Sequence, residues 1–154
     1  MKGTHTVVVE RAKVKYTLTF KRNISFIRGN SGTGKTTLIA ALVGALKDLN
    51  IKPILLAPTG RAAKVLAQYA QEKAFTIHKR IYRQRTNADY ESKYSLNFNA
   101  EKGAVFIVDE ASMLSDSPGG GALFGSGSLL EDLVQYVRSG RDCRLVLVLS
   151  LIHI

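Results

Sequence analysis

Residues 28–38 read RGNSGTGKTTL, and positions 29–36 within them fit the pattern G-x-x-x-x-G-K-[ST]. Each fixed position has a physical reason. Glycines let successive backbone N–H groups turn toward one phosphate, and the start of a following helix adds unpaired N–H groups and the positive end of its dipole. Lys35 supplies a cation long enough to reach the β- and γ-phosphates, and the Thr36 hydroxyl supplies a hard oxygen for Mg²⁺. The flanks agree, because residues 24–28 form a short strand and residues 35–49 have helical composition, so the loop links strand to helix. The glycines run G-x-x-G-x-G, which is not the dinucleotide pattern G-x-G-x-x-G. The expected nucleotide-binding residues are Gly29, Asn30, Ser31, Gly32, Thr33, Gly34, Lys35, Thr36 and Thr37.

Further along, VFIVDE at residues 105–110 is an apolar strand that delivers Asp109 and Glu110 to its carboxyl end. Ligands bind at that edge in open α/β sheets. A nucleotide-bound Mg²⁺ requires a carboxylate, the role expected of Asp109 beside Thr36, and hydrolysis requires a group to polarise water, the role expected of Glu110. Lys35, Asp109 and Glu110 are thus the candidate catalytic residues. No N-K-x-D stretch for reading guanine occurs.

Strand and helix patterns alternate around these motifs. KPILLAPTG (52–60) reads as a buried strand followed by a turn, residues 144–149 as a strand, residues 61–71 and 129–138 as helices, and residues 7–10 with 15–20 as an N-terminal antiparallel pair. The class is α/β, a mostly parallel sheet with helices on both faces. There is no internal repeat, and SDSPGGGALFGSGS at residues 115–128 is a loop by composition.

At 154 residues, 45% hydrophobic and 22% charged, the chain has the length and composition of about one globular domain. Its apolar runs fall short of the roughly 20 residues that span a bilayer, and its first residues lack an apolar signal stretch, so a cytoplasmic protein without membrane attachment is expected. The single cysteine, Cys143, has no internal disulfide partner and reads as a small core residue. A formal net charge of +10 favours polyanions, since cations that neutralise phosphates release counterions.

That charge has a focus. APTGRAAKVL (57–66) and FTIHKRIYRQR (75–85) place Thr59, Arg61, Lys64, Thr76, His78, Lys79, Arg80, Arg83 and Arg85 near the sheet edge, suited to phosphate-backbone contacts, although a solvated basic face has the same composition. No second histidine or cysteine lies near His78 in sequence to make a metal site. Residues 82–103 are polar with Tyr82, Tyr90, Tyr94 and Phe98 interspersed, which describes either a surface hairpin or loop, or a platform for stacking bases.

Taken together, RGNSGTGKTTL, LLAPTGRAAKVLAQYA, FTIHKRIYRQ and FIVDEASML resemble the first motor lobe of RecD-like superfamily 1 DNA helicases over roughly residues 25–148. The resemblance implies a RecA-like P-loop fold, ATP and Mg²⁺ as cofactors, and coupling of ATP hydrolysis to movement along single-stranded DNA. It assigns Lys35 and Thr36 to the phosphate loop and Asp109 and Glu110 to the metal and water site. Pro58, Thr59, Gly60, Arg61, Thr76 and His78 fall on its single-strand track.

Three features depart from the family. Residues 1–28 contain no glutamine to read adenine, and residues 1–23 resemble instead the hairpin that precedes the phosphate loop in ABC- or AAA-like ATPases. After RLVLV (144–148) the family continues to a γ-phosphate-sensing glutamine and a second motor lobe, whereas this chain ends LSLIHI. Six such residues are what a transposon mosaic end encodes, so the expected division is 1–23, 24–148 and a non-native 149–154. The isolated chain is expected to bind ATP·Mg²⁺ better than it turns it over. The alternatives are a non-helicase P-loop ATPase and a nucleic-acid binding module with a vestigial nucleotide site.

Overall fold

The computed structural model describes residues 5–11, 14–20, 23–30, 34–86, 92–114 and 125–151. Its centre is a five-stranded, all-parallel sheet in the order β3 (Ile24–Asn30), β9 (Arg144–Leu151), β8 (Val105–Val108), β4 (Pro53–Ala57), β5 (Ala74–Thr76). Continuous apolar runs form the inner strands because both faces of a parallel sheet are covered. Successive side chains point to opposite faces, so Leu55, Ala57, Val105, Ile107, Val146 and Val148 share one core, while Ile54, Leu56, Phe106, Val108, Leu145 and Leu147 share the other.

Helices α1 (Lys35–Asp48) and α2 (Gly60–Ala70) pack on the first face through Ile39, Leu42, Val43, Leu46 and Leu66. Helices α3 (Ile77–Ile81) and α4 (Leu129–Ser139) cover the second through Ile77, Ile81, Leu133, Tyr136 and Val137. The expected α/β architecture with helices on both faces is therefore present, and with it the antiparallel pair β1 (His5–Arg11) and β2 (Val14–Phe20), which forms a sheet of its own. No helix among the described residues is long and apolar enough to cross a membrane.

Several elements differ from the sequence expectation. Strand β9 runs to Leu151 rather than 149, with Leu149, Ser150 and Leu151 opposite Arg28, Gly29 and Asn30. The basic stretch 75–85 divides into the end of β5, the short α3 and the first strand of a hairpin, β6 (Tyr82–Thr86) with β7 (Ser92–Leu96). Tyr82 does not present a stacking face: it is buried, and its hydroxyl donates to the buried Asp132 carboxylate at 2.6 Å, which also accepts from the Ser126 N–H at 3.0 Å. Tyr94 is half-buried against the same core, Phe98 is exposed beyond the hairpin, and Tyr90 lies outside the described residues. Cys143 is buried, as expected of a small core residue, and directly precedes β9. Of the Gly/Ser-rich segment, residues 115–124 lie outside the described residues, while Ser128 caps α4 by accepting from the Glu131 N–H.

Candidate nucleotide and nucleic-acid site

Because all five strands are parallel, their carboxyl ends meet at one edge. Along that edge the chain presents, in sheet order, the start of α1 after β3, the end of β9, Asp109 and Glu110 after β8, residues 58–61 after β4, and Thr76 to His78 at the end of β5. Motifs scattered over 29–110 are thereby ranged side by side, with a strand separating the phosphate-loop strand from the one that carries the acids.

Helix α1 begins directly after Gly34, whose φ of 80° lies in the left-handed region that glycine adopts without a Cβ clash. Gly34 provides no side-chain cap and no acidic residue occupies the first turn, so an anion there meets helix N–H groups and dipole without a competing carboxylate. Lys35 is half-buried and reaches back to the end of β3, its Nζ donating to the Gly29 carbonyl at 2.7 Å. Thr36 and Thr37 follow on exposed positions of the same turn. Ser31, Gly32 and Thr33, with the side chain of Asn30, lie outside the described residues.

Asp109 is fixed on three sides. Its N–H continues the β4 pairing by donating to the Leu56 carbonyl at 3.0 Å. Its Oδ1 accepts from the Glu110 N–H at 2.9 Å, and its Oδ2 accepts from the Tyr69 hydroxyl at 2.5 Å. Burial, the bond to Asp109 and the charges of Asp109 and Glu110 all push the Tyr69 phenol far above its ordinary range, so it remains a donor. Glu110 adopts φ 53°, a left-handed conformation costing a non-glycine residue about 1–2 kcal/mol, and leads into the single helical turn Ala111–Met113. Sequence reasoning offered no signal for Tyr69, which stands 40 residues from Asp109.

On the adjoining strands, two hydroxyls expected on the nucleic-acid track have structural duties. The Thr59 oxygen accepts from the Ala62 N–H at 3.2 Å and caps α2, and the Thr76 oxygen accepts from the Lys79 N–H at 3.2 Å and caps α3. Each hydroxyl keeps its own proton to donate. Thr59, Gly60 and Arg61 are exposed, and Pro58 is half-buried. His78 is half-buried with its ring 5.7 Å from Tyr82, and burial lowers its pKa, which keeps the imidazole neutral at neutral pH. Arg80 is engaged within the fold: it pairs with Glu101 at 2.6 Å, where Lys52 also bonds at 2.8 Å. Burial raises the Glu101 pKa, but the bonds from Lys52 and Arg80 outweigh it and hold the carboxyl below its ordinary range.

Among the described residues no three His, Cys, Asp or Glu side chains gather into a metal-binding group. The oxygens offered along this edge include the Thr36 hydroxyl at the start of α1 and the Asp109 carboxylate at the end of β8, both hard donors. Such a set fits Mg²⁺, which takes one or two protein ligands and completes its shell with phosphate oxygens and water.

Comparisons with known proteins agree with this layout. The profile of the AAA domain family matches residues 10–119, a range that takes in β2 and the sheet as far as β8. The chain is similar to the RecBCD enzyme subunit RecD of Buchnera aphidicola subsp. Acyrthosiphon pisum, at 39% identity over 69 residues, 43% of this chain and 12% of that protein. RecD of Buchnera aphidicola subsp. Schizaphis graminum is 42% identical over 64 residues, 40% of this chain and 11% of that protein. The ATP-dependent RecD2 DNA helicase of Deinococcus radiodurans is 32% identical over 93 residues, 59% of this chain and 12% of its own length. This chain thus spans about an eighth of the curated relatives it matches. With the phosphate-loop helix, the strand-borne Asp-Glu pair and four of the five strands of the parallel sheet inside the matched range, the chain belongs to the AAA domain family and has a P-loop α/β fold.

Proposed function

We propose that the chain binds ATP·Mg²⁺ between the start of α1 and the end of β8, hydrolyses it, and couples hydrolysis to movement along single-stranded DNA held over the ends of β4 and β5. The observation that carries this reading is the order of the sheet edge: the phosphate-loop lysine, the acids and the basic stretch after β4 follow one another on a single line. In this arrangement the loop backbone and Lys35 hold the phosphates, Thr36 and Asp109 are the metal ligands, and Glu110 orients the attacking water and takes its proton. Mg²⁺, when bound, neutralises charge on the β- and γ-phosphates. Neighbouring loops on adjacent strands can respond to the nucleotide together, because β8 and β4 are paired from Pro53↔Val105 to Leu56↔Val108.

The names of the relatives, a RecBCD subunit and an ATP-dependent DNA helicase, support DNA as the polymer. Arg61 is exposed at the start of α2 and supports this reading as a cation available to a phosphate. Arg61→Ala is expected to weaken single-stranded DNA binding several-fold, with little dependence on sequence, and to flatten the salt dependence by about 0.7 in the slope of log K against log salt, the share of one phosphate contact. A fluorescence-anisotropy titration with labelled oligonucleotide at several salt concentrations, with and without ATP·Mg²⁺, measures both. Binding indifferent to ATP and to Arg61 would sink the motor reading and favour a nucleic-acid module with a vestigial nucleotide site.

A further inference from the structure

Tyr69 lies near the end of the stretch LLAPTGRAAKVLAQYA without a chemical role of its own there, yet it reaches the carboxylate on which the proposed metal position depends. It stands one residue before the end of α2, the helix that opens with the exposed Gly60 and Arg61, and its hydroxyl donates to Asp109 Oδ2 at 2.5 Å. The other oxygen, Oδ1, accepts from the Glu110 N–H at 2.9 Å. With one donor on each oxygen the plane of the carboxylate is set from both sides. An ionised carboxylate offers about four lone-pair directions, so two remain for a metal or its waters. Without the phenol, Oδ2 would be held only through its partner oxygen, and the group would be freer to rotate about the bond that joins it to the chain.

We propose that Tyr69 is a positioning residue that fixes the Asp109 carboxylate for the nucleotide-bound metal, tying the helix behind the nucleic-acid loop to the metal side of the ATP site. The inference rests on the proposed nucleotide site. Hydrogen-bond partners of metal ligands typically change metal affinity by about 10–100-fold when removed. Tyr69→Phe keeps the ring and its packing and deletes only the donor.

The test is calorimetric titration of ATP into the 154-residue chain at graded free Mg²⁺ and in EDTA, for the unsubstituted protein, Tyr69→Phe, Asp109→Asn and the double variant. Tyr69→Phe is expected to raise the Mg²⁺ concentration for half-maximal enhancement of ATP binding about tenfold. Affinity in EDTA should stay within about twofold, which also shows that the variant is folded, and Asp109→Asn should absorb the effect so that the double variant is no worse. A shift with Asp109→Asn but none with Tyr69→Phe would overturn the role of Tyr69 and leave the site intact. An equal loss with and without Mg²⁺ would make Tyr69 a packing residue and overturn the proposal. Mg²⁺ dependence unaffected by Asp109→Asn would overturn both this inference and the site on which it rests.

Discussion

Glu110→Gln is expected to slow ATP turnover by about two to four orders of magnitude while leaving ATP·Mg²⁺ binding nearly intact. The substitution keeps the shape of the side chain and removes its ability to take a proton. Glu110 follows Asp109 directly at the end of β8, is half-buried, and is held at φ 53° by the turn that starts at Ala111. Backbone held in that conformation sets the direction in which the side chain leaves the turn, and catalysis by a positioned base depends on geometry before basicity. The two readouts are phosphate release and equilibrium binding of ATP on the same preparation. Unchanged turnover would remove Glu110 from the mechanism, and loss of binding would make it a ligand-holding group.

Lys35→Ala is expected to weaken ATP binding by about 10- to 100-fold, the scale on which a charge-assisted hydrogen bond to phosphate contributes. Lys35 is the first residue of α1, and alanine is the best helix former, so the helix should persist and the loss should belong to the ammonium. The bond from Nζ to the Gly29 carbonyl at 2.7 Å shows that the side chain reaches toward β3, where a phosphate would compete for the same protons. Melting curves of both proteins without nucleotide check the fold, and equilibrium titration with ATP·Mg²⁺ measures the affinity. Equal affinities would remove Lys35 from the site.

What could be seen in the sequence was the chemistry that is local. The phosphate loop is eight consecutive residues, and Asp109 and Glu110 announce themselves by following an apolar run, so both were legible. The alternation of apolar runs with helical segments gave the class, because both faces of a parallel sheet must be covered. The order of the strands was not legible: that β9 lies between β3 and β8 depends on pairings such as Ile27↔Val148 and Ile107↔Val146, which no spacing records. The same distance hid the bond between Tyr69 and Asp109 and the pairing of Arg80 with Glu101, which turned a presumed phosphate contact into an internal ion pair. Thr59 and Thr76 were legible in part. Each stands directly before a helix, the position where a threonine oxygen satisfies a free N–H, and that local signal underlies the cap whether or not a nucleic acid is also touched. Tyr82 shows the limit of composition, since an aromatic in a polar stretch proved to be buried, its hydroxyl satisfied by Asp132.

In the proposed mechanism the start of α1 and the end of β8 close on one metal-bound nucleotide. A double-mutant cycle with Thr36→Val and Asp109→Asn, read as ATP affinity with Mg²⁺ and again in EDTA, tests it most directly. If both side chains serve the same ion, their effects in Mg²⁺ will be non-additive by about 0.5–3 kcal/mol and the coupling will vanish in EDTA. Additive effects under both conditions, within about 0.5 kcal/mol, would contradict the claim.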